Sequence, residues 1–121
     1  MSTRSGNQDH RSDYLHPSRV APVIRGAIRP SRAEDVATIF SLLSDPTRVR
    51  ILQALSLVDE ICVVDLALVL GMSQSTLSHQ LALLRGNRVV ARRREGRVVF
   101  YRLVAGAVRR ALAAALREAA R

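Results

Sequence analysis

Leu70-Gly71-Met72-Ser73-Gln74-Ser75-Thr76-Leu77-Ser78-His79-Gln80-Leu81 is the stretch whose reading decides the fold. Glycine accepts the left-handed backbone that ends a helix, and the serine two residues on can take a hydrogen bond from the first turn of the next. The stretch therefore predicts two short helices joined by a sharp bend, a helix-turn-helix. Its first helix is EICVVDLALVL, residues 60–70, with Asp59 as the expected cap. Its second starts at Ser73 and places Leu77, Leu81 and Leu84 on one buried stripe.

Upstream, Asp45 before Pro46 is an N-cap with proline at the first helical position, predicting a helix through Val49, Leu52 and Leu55 with Arg48 and Arg50 pointing outward. Before that, Ser31 and Glu34 have the spacing of a capping box, and Val36, Ile39, Phe40 and Leu43 recur at helical spacing up to about Ser44. Downstream the period changes from helix to strand. Val89-Val90-Ala91, the charged run Arg92 to Arg97 and Val98-Val99-Phe100-Tyr101 read as a hairpin with its tip at Glu95-Gly96. Val104 to Arg121 reads as a last helix with Val104, Val108, Ala111, Leu112, Ala115, Leu116 and Ala119 on one side. So short a chain leaves that stripe no obvious cover, so a second copy is expected there, with folding back over its own domain as the alternative.

The order of elements is that of a winged helix-turn-helix, mainly α with a small β-hairpin, dimerising through its terminal helices. Residues 31–121 form this DNA-binding and dimerisation domain. Residues 1–30, with three of the four prolines and no sustained helical period, read as an arm.

Composition agrees with one small domain of 121 residues. Apolar residues make up 48% of it with only two Phe and two Tyr, so Leu, Val, Ile and Ala build the core and wholesale disorder is excluded. No apolar run approaches the ~20 residues of a membrane span, and the opening MSTRSGNQDHRSDY has no apolar secretory segment. A soluble cytoplasmic protein without a membrane partner is the expectation. The single Cys62 excludes an intrachain disulfide. All 19 basic residues are arginine, against 10 acids, giving +9 and pointing to a polyanionic partner.

The arginines say where that partner would lie. From Arg85 to Arg102 there are seven arginines and the single Glu95. A hairpin so charged repels itself unless it meets an anion, and backbone phosphate or an adjacent minor groove supplies one. On the second helix of the helix-turn-helix, Gln74, Ser75, Thr76, Ser78, His79 and Gln80 are turned away from the leucines and offer short hydrogen-bonding groups with no acid among them. Such groups suit base edges and phosphates in a major groove.

Four segments together resemble the ArsR/SmtB family of metal-responsive repressors: Leu43 to Leu52, Glu60 to Ala67, Ser73 to Leu81, and Glu95 to Leu103. The resemblance spans roughly residues 31–121. It implies a homodimeric repressor that reads an inverted-repeat double-stranded DNA operator through paired helices and leaves when its inducer binds. By the match, Ser75, Thr76, Ser78 and His79 lie on the base-reading helix, and Arg93, Arg94 and Arg97 on the wing.

Cys62 and Asp65 are three apart, which on a helix places them on one face, and a carboxylate beside a cysteine is not explained by core packing. Two donors do not complete a tetrahedral site. The arm offers Asp9, His10, Asp13 and His16 within eight residues. Imidazole, thiolate and carboxylate suit zinc, and a thiolate also accepts cadmium or lead. The resemblance implies a sensor site shared between the helix carrying Cys62 and the N-terminal arm. Where the family often has a second cysteine, this chain has Val64, which favours zinc over a thiolate-rich cadmium, lead or arsenic site. The resemblance implies Cys62 and Asp65; the arm departs from the family's zinc variant, which supplies a cysteine and a histidine, and here His10 and His16 serve instead, giving the set His10, His16, Cys62 and Asp65, with Asp13 as a substitute and cobalt a further alternative metal. The family's other common site would fall on Ala105, Ala107, Glu118 and Arg121 and lacks its donors.

Other functions fit less well. A repressor of the same fold answering to oxidation of Cys62, or to nothing, keeps the DNA surface but not the ligand pattern. A non-specific architectural protein would need the charge but not the polar helix face. An enzyme finds no phosphate-binding glycine loop and no clustered Ser, His and Asp.

Overall fold

The computed structural model describes residues 13–120. Their elements are α1 (Pro17–Gly26), α2 (Pro30–Leu42), α3 (Pro46–Ser56), β1 (Ile61–Cys62), α4 (Val63–Leu70), α5 (Gln74–Gly86), β2 (Val90–Glu95), β3 (Val98–Leu103) and α6 (Gly106–Ala119). By their contacts the residues divide inside α2, one unit running through Asp35 and the other from Val36 onward.

The core of the second unit follows from the leucine spacing. Ile51, Leu52 and Leu55 of α3, Leu66 of α4, and Leu77, Leu81 and Leu84 of α5 are all 0% exposed. Val90, Tyr101 and Leu103 of the sheet, with Val108 and Leu112 of α6, close over them. Asp45 caps α3 by accepting from the Arg48 N–H at 3.0 Å, with Pro46 at the first helical position. Between α4 and α5, Gly71 adopts φ 66°. Its N–H donates to Leu68 O and that of Met72 to Ala67 O, a Schellman ending that only a left-handed residue closes. Ser73 then caps α5, accepting from the Thr76 N–H at 3.0 Å.

Several sequence expectations are corrected. The first helix of the helix-turn-helix begins at Val63, not Glu60, because Ile61 and Cys62 pair with Tyr101 and Phe100 of β3 instead. The sheet is thus three-stranded in the order β1-β3-β2, and Cys62, not Asp59, is the N-cap of α4. The exposed edge of β3 offers Ile61 and Cys62 a ladder that helical bonding would forgo. Arg92, Arg93 and Arg94 belong to β2 itself, and the hairpin loop is Gly96-Arg97, with Gly96 at φ 63° as a primed two-residue turn requires.

In the arm, Pro17–Gly26 is helical despite Pro22 inside it. Pro17 suits the first turn, and Pro22 removes only one backbone donor. α2 starts at Pro30, so Ser31 lies in its first turn and does not cap it. Val36 and Phe40 of α2 are 40% and 63% exposed, so only part of that apolar face is covered. α6 does fold over its own domain against α3, burying Val108 and Leu112, while Ala115, Leu116 and Ala119 stay exposed. Among the described residues no helix is long and apolar enough to cross a membrane.

Arg48 and Arg50 do not simply point outward. Arg48 donates from Nε to Leu42 O and from Nη2 to Ser41 O, both at 3.0 Å, and Arg50 donates to Leu70 O at 2.9 Å. Each guanidinium closes the carbonyl end of a neighbouring helix, where orphan acceptors and the helix dipole both favour a cation.

Candidate nucleic-acid interface

The buried leucines of α5 fix which residues it presents outward. Gln74, Ser75, Thr76, Ser78 and His79 are exposed. Ser73 Oγ also donates to Thr76 Oγ1 at 2.9 Å, so the Thr76 hydroxyl is held over the first turn of the helix. Gln80 departs from the expected outward set: it is half-buried, and its Oε1 is buried with no hydrogen-bond partner among the described residues.

Beside α5 stands the wing. Strand alternation puts Arg92 opposite Tyr101 and Arg94 opposite Val99, on the face that carries buried Val90 and Leu103 at its base. Arg92, Arg94 and Arg97 are exposed and make no side-chain hydrogen bond or ion pair with the described residues. Arg93 is on the opposite face and, although exposed too, has partners for its whole guanidinium. Its Nε donates to Glu60 Oε2 at 3.3 Å, its Nη2 to Glu60 Oε1, and its Nη1 to Glu95 Oε2 at 2.6 Å. Its guanidinium carbon lies 4.5 Å from the centroid of the Phe100 ring.

This pairing holds the Glu60 carboxyl below its ordinary value, chiefly through the hydrogen bond from Arg93, which outweighs the opposing effect of burial, with further help from the charges of Arg93 and Arg102. It raises Arg93 in turn, through Glu60 first and Glu95 second. For a depressed carboxyl, the stabilisation is fully present above the ordinary value of 4.5 and is lost as pH falls through the lowered one. Glu60 was not legible as a wing residue, because 33 residues separate it from Arg93 and only the pairing of β1 with β3 brings them together.

At the junction of α5 and the wing, Arg88 has φ 59°, the one non-glycine residue with positive φ among those described. It is exposed, and it ends α5 by donating its N–H to Arg85 O at 2.9 Å.

The residues proposed from sequence as metal ligands are placed as follows. Cys62 is half-buried at the N-cap of α4, and Asp65 is exposed three residues later in its first turn. They do not share the face of one helix. They occupy the N-cap and third helical positions, so both donors lie at the same end of α4. His16 is exposed at the N-cap of α1. His10 lies outside the described residues. No group of three or more His, Cys, Asp or Glu able to hold a metal ion occurs among the described residues.

Comparison with known proteins gives one consistent answer. The description "Bacterial regulatory protein, arsR family" matches residues 45–92, from the cap of α3 into β2. The chain is 42% identical over 89 residues to a transcriptional repressor SmtB homolog of Synechocystis sp., covering 74% of this chain and 67% of that protein. It is 39% identical over 90 residues to a cadmium resistance transcriptional regulatory protein CadC homolog of Staphylococcus aureus, covering 74% of each. Among solved structures, that of the AntR antimony-specific transcriptional repressor superposes with a TM-score of 0.72 at 36% identity, over 74% of this chain and 81% of that one. With a capped polar helix beside an arginine wing and this degree of identity, the chain belongs to the ArsR family of bacterial regulatory proteins, winged-helix DNA-binding repressors and not enzymes.

Proposed function

We propose that the chain is a homodimeric, cytoplasmic, metal-sensing transcriptional repressor. It occupies an inverted-repeat operator without metal and leaves when zinc binds, with cadmium, lead or cobalt as alternatives, so that metal efflux or resistance genes are expressed. Gln74, Ser75, Thr76, Ser78 and His79 read the major groove, and Arg94 and Arg97 meet phosphate or the adjacent minor groove. The dimer is supported by apolar side chains left exposed on α2 and on the last helix, Val36 and Phe40 of α2 and Leu116 of α6.

The observation that carries the metal reading is the placement of Cys62 and Asp65 at the start of α4, the first helix of the helix-turn-helix. A soft thiolate and a hard carboxylate there fit zinc, and the remaining donors are assigned to His10 and His16 of the arm. The SmtB, CadC and AntR relatives, whose names tie two of them to cadmium or antimony, support the same class of inducer. Metal at the start of α4 acts on the first helix of the helix-turn-helix, at the end opposite the turn that leads into α5. Linkage then requires DNA to lower metal affinity by the factor that metal lowers DNA affinity, on the order of 1–3 kcal/mol of coupling.

Fluorescence anisotropy tests this with a duplex carrying the inverted repeat recovered from a random pool, under reducing conditions. Two chains are expected per duplex, released by zinc. Cys62→Ser and His16→Ala are expected to bind the duplex as before and to resist zinc. Release of the Cys62→Ser protein by zinc as readily as of the unaltered protein would remove Cys62 from the site.

A further inference from the structure

In the sheet order β1-β3-β2, β1 and β2 flank β3. Glu60 directly precedes β1 and Arg93 sits in β2, so their pairing crosses the middle strand, passing over Phe100. All three guanidinium nitrogens of Arg93 are taken by two carboxylates, and one face of its plane is taken by an aromatic ring. A forked pair of this kind is directional in a way that a single surface ion pair is not. Only two residues of β1 are laddered to β3, so the backbone by itself ties the wing to the segment leading into α4 over a short span. Arg92, Arg94 and Arg97, in the same hairpin, have no such partners.

We infer that Arg93 does not contact DNA but is a positioning residue: with Glu60 and Glu95 it clamps the wing across β3 to the segment that opens the helix-turn-helix, fixing the wing relative to α5. The inference needs only DNA binding and is independent of the inducer. A phosphate contact and a clamp predict different salt dependences, because only a side chain that neutralises phosphate releases a counterion, worth about 0.9 in the slope of log affinity against log salt.

The test compares Arg93→Ala, Arg94→Ala and Glu60→Gln in the full chain, on the selected inverted-repeat duplex and on a scrambled duplex of the same length. Arg94→Ala is the calibrating contact and is expected to flatten the slope by about 0.9. Arg93→Ala is expected to leave the slope unchanged while weakening the selected duplex roughly fivefold, and so to lower the preference over the scrambled one. Glu60→Gln keeps the size of the side chain but removes its charge and one of the two oxygens that accept from Arg93, so the fork is broken. It is expected to steepen the slope on the scrambled duplex, by up to about 0.9, as the freed guanidinium finds phosphate. A slope for Arg93→Ala as flat as that of Arg94→Ala would make Arg93 a contact and overturn the clamp. Unchanged affinity on both duplexes in Arg93→Ala and Glu60→Gln would overturn it equally.

Discussion

Arg48 and Arg94 are the same side chain in two settings, and the helical body and the wing use it oppositely. In the body, Arg48 donates to carbonyls at the end of α2, Arg50 to Leu70 O at the end of α4, and Arg109 to Ser56 O at the end of α3. Each meets acceptors that the helix cannot satisfy itself, at the end where the dipole is negative. In the wing, Arg92 and Arg94 lie on β2 and Arg97 in the hairpin loop, away from any helix end, and no carboxylate of the described residues pairs with them. The two acids within reach, Glu60 and Glu95, are both taken by Arg93. A net charge of +9 therefore overstates the charge available to a polyanion. What counts is the set of arginines that the fold leaves without an acceptor.

The largest effect that could break this contrast comes from replacing Arg92, Arg94 and Arg97 together with alanine. Three lost phosphate contacts would flatten the salt slope by roughly 2–3 and weaken binding by about two orders of magnitude or more at moderate salt. The melting temperature is expected to stay nearly constant, since exposed side chains without partners contribute about ±0.5 kcal/mol or less. A slope close to that of the unaltered protein would show that the wing does not meet the phosphate backbone.

Arg48→Ala is the mirror experiment. It leaves the carbonyls of Ser41 and Leu42 without a charged donor in a half-buried position. A loss of about 1–2 kcal/mol is expected, read by urea or thermal unfolding. The salt slope for DNA is expected not to move. Arg48→Lys restores charge but not the fork that serves two carbonyls, so it is expected to recover less than half of the loss. Full recovery by lysine would mean that the helix dipole, and not the paired hydrogen bonds, is what Arg48 serves.

How much of this was legible beforehand depends on the distance over which each feature is decided. The Asp45-Pro46 start, the Gly71 bend, the Ser73 cap and the leucines of α5 are decided within a few residues, and a one-dimensional pattern carries them. β1 was not legible, since Ile61 and Cys62 become a strand only because β3, some forty residues on, offers an open edge. The same displacement moved Cys62 from inside a helix to its N-cap and changed how it and Asp65 share one end of α4. α1 was hidden by Pro22, which reads as a breaker although a helix tolerates one missing donor. The DNA-facing arginines could be listed but not sorted. Nothing local distinguishes Arg93 from Arg94, whereas alternation along β2 sends one to Glu60 and Phe100 and leaves the other free.

Arg88 joins the two regions and sharpens the comparison most finely. Its φ of 59° places a residue bearing a Cβ in the left-handed region, a conformation that costs roughly 1–2 kcal/mol for an ordinary residue. Glycine would avoid that cost but loses about 0.5–1 kcal/mol of chain entropy on folding. The balance predicts that Arg88→Gly stabilises the fold by a few tenths to about 1 kcal/mol, the opposite sign to Arg48→Ala. Arg88 is exposed, ends the base-reading helix and precedes the wing, with no acceptor among the described residues for its side chain. By the rule that separates the two sets it belongs with Arg94, so the same variant is expected to flatten the salt slope by about 0.9. A more stable protein with an unchanged slope would place Arg88 with neither set, and the absence of an internal acceptor would then no longer suffice to identify the arginines that meet DNA.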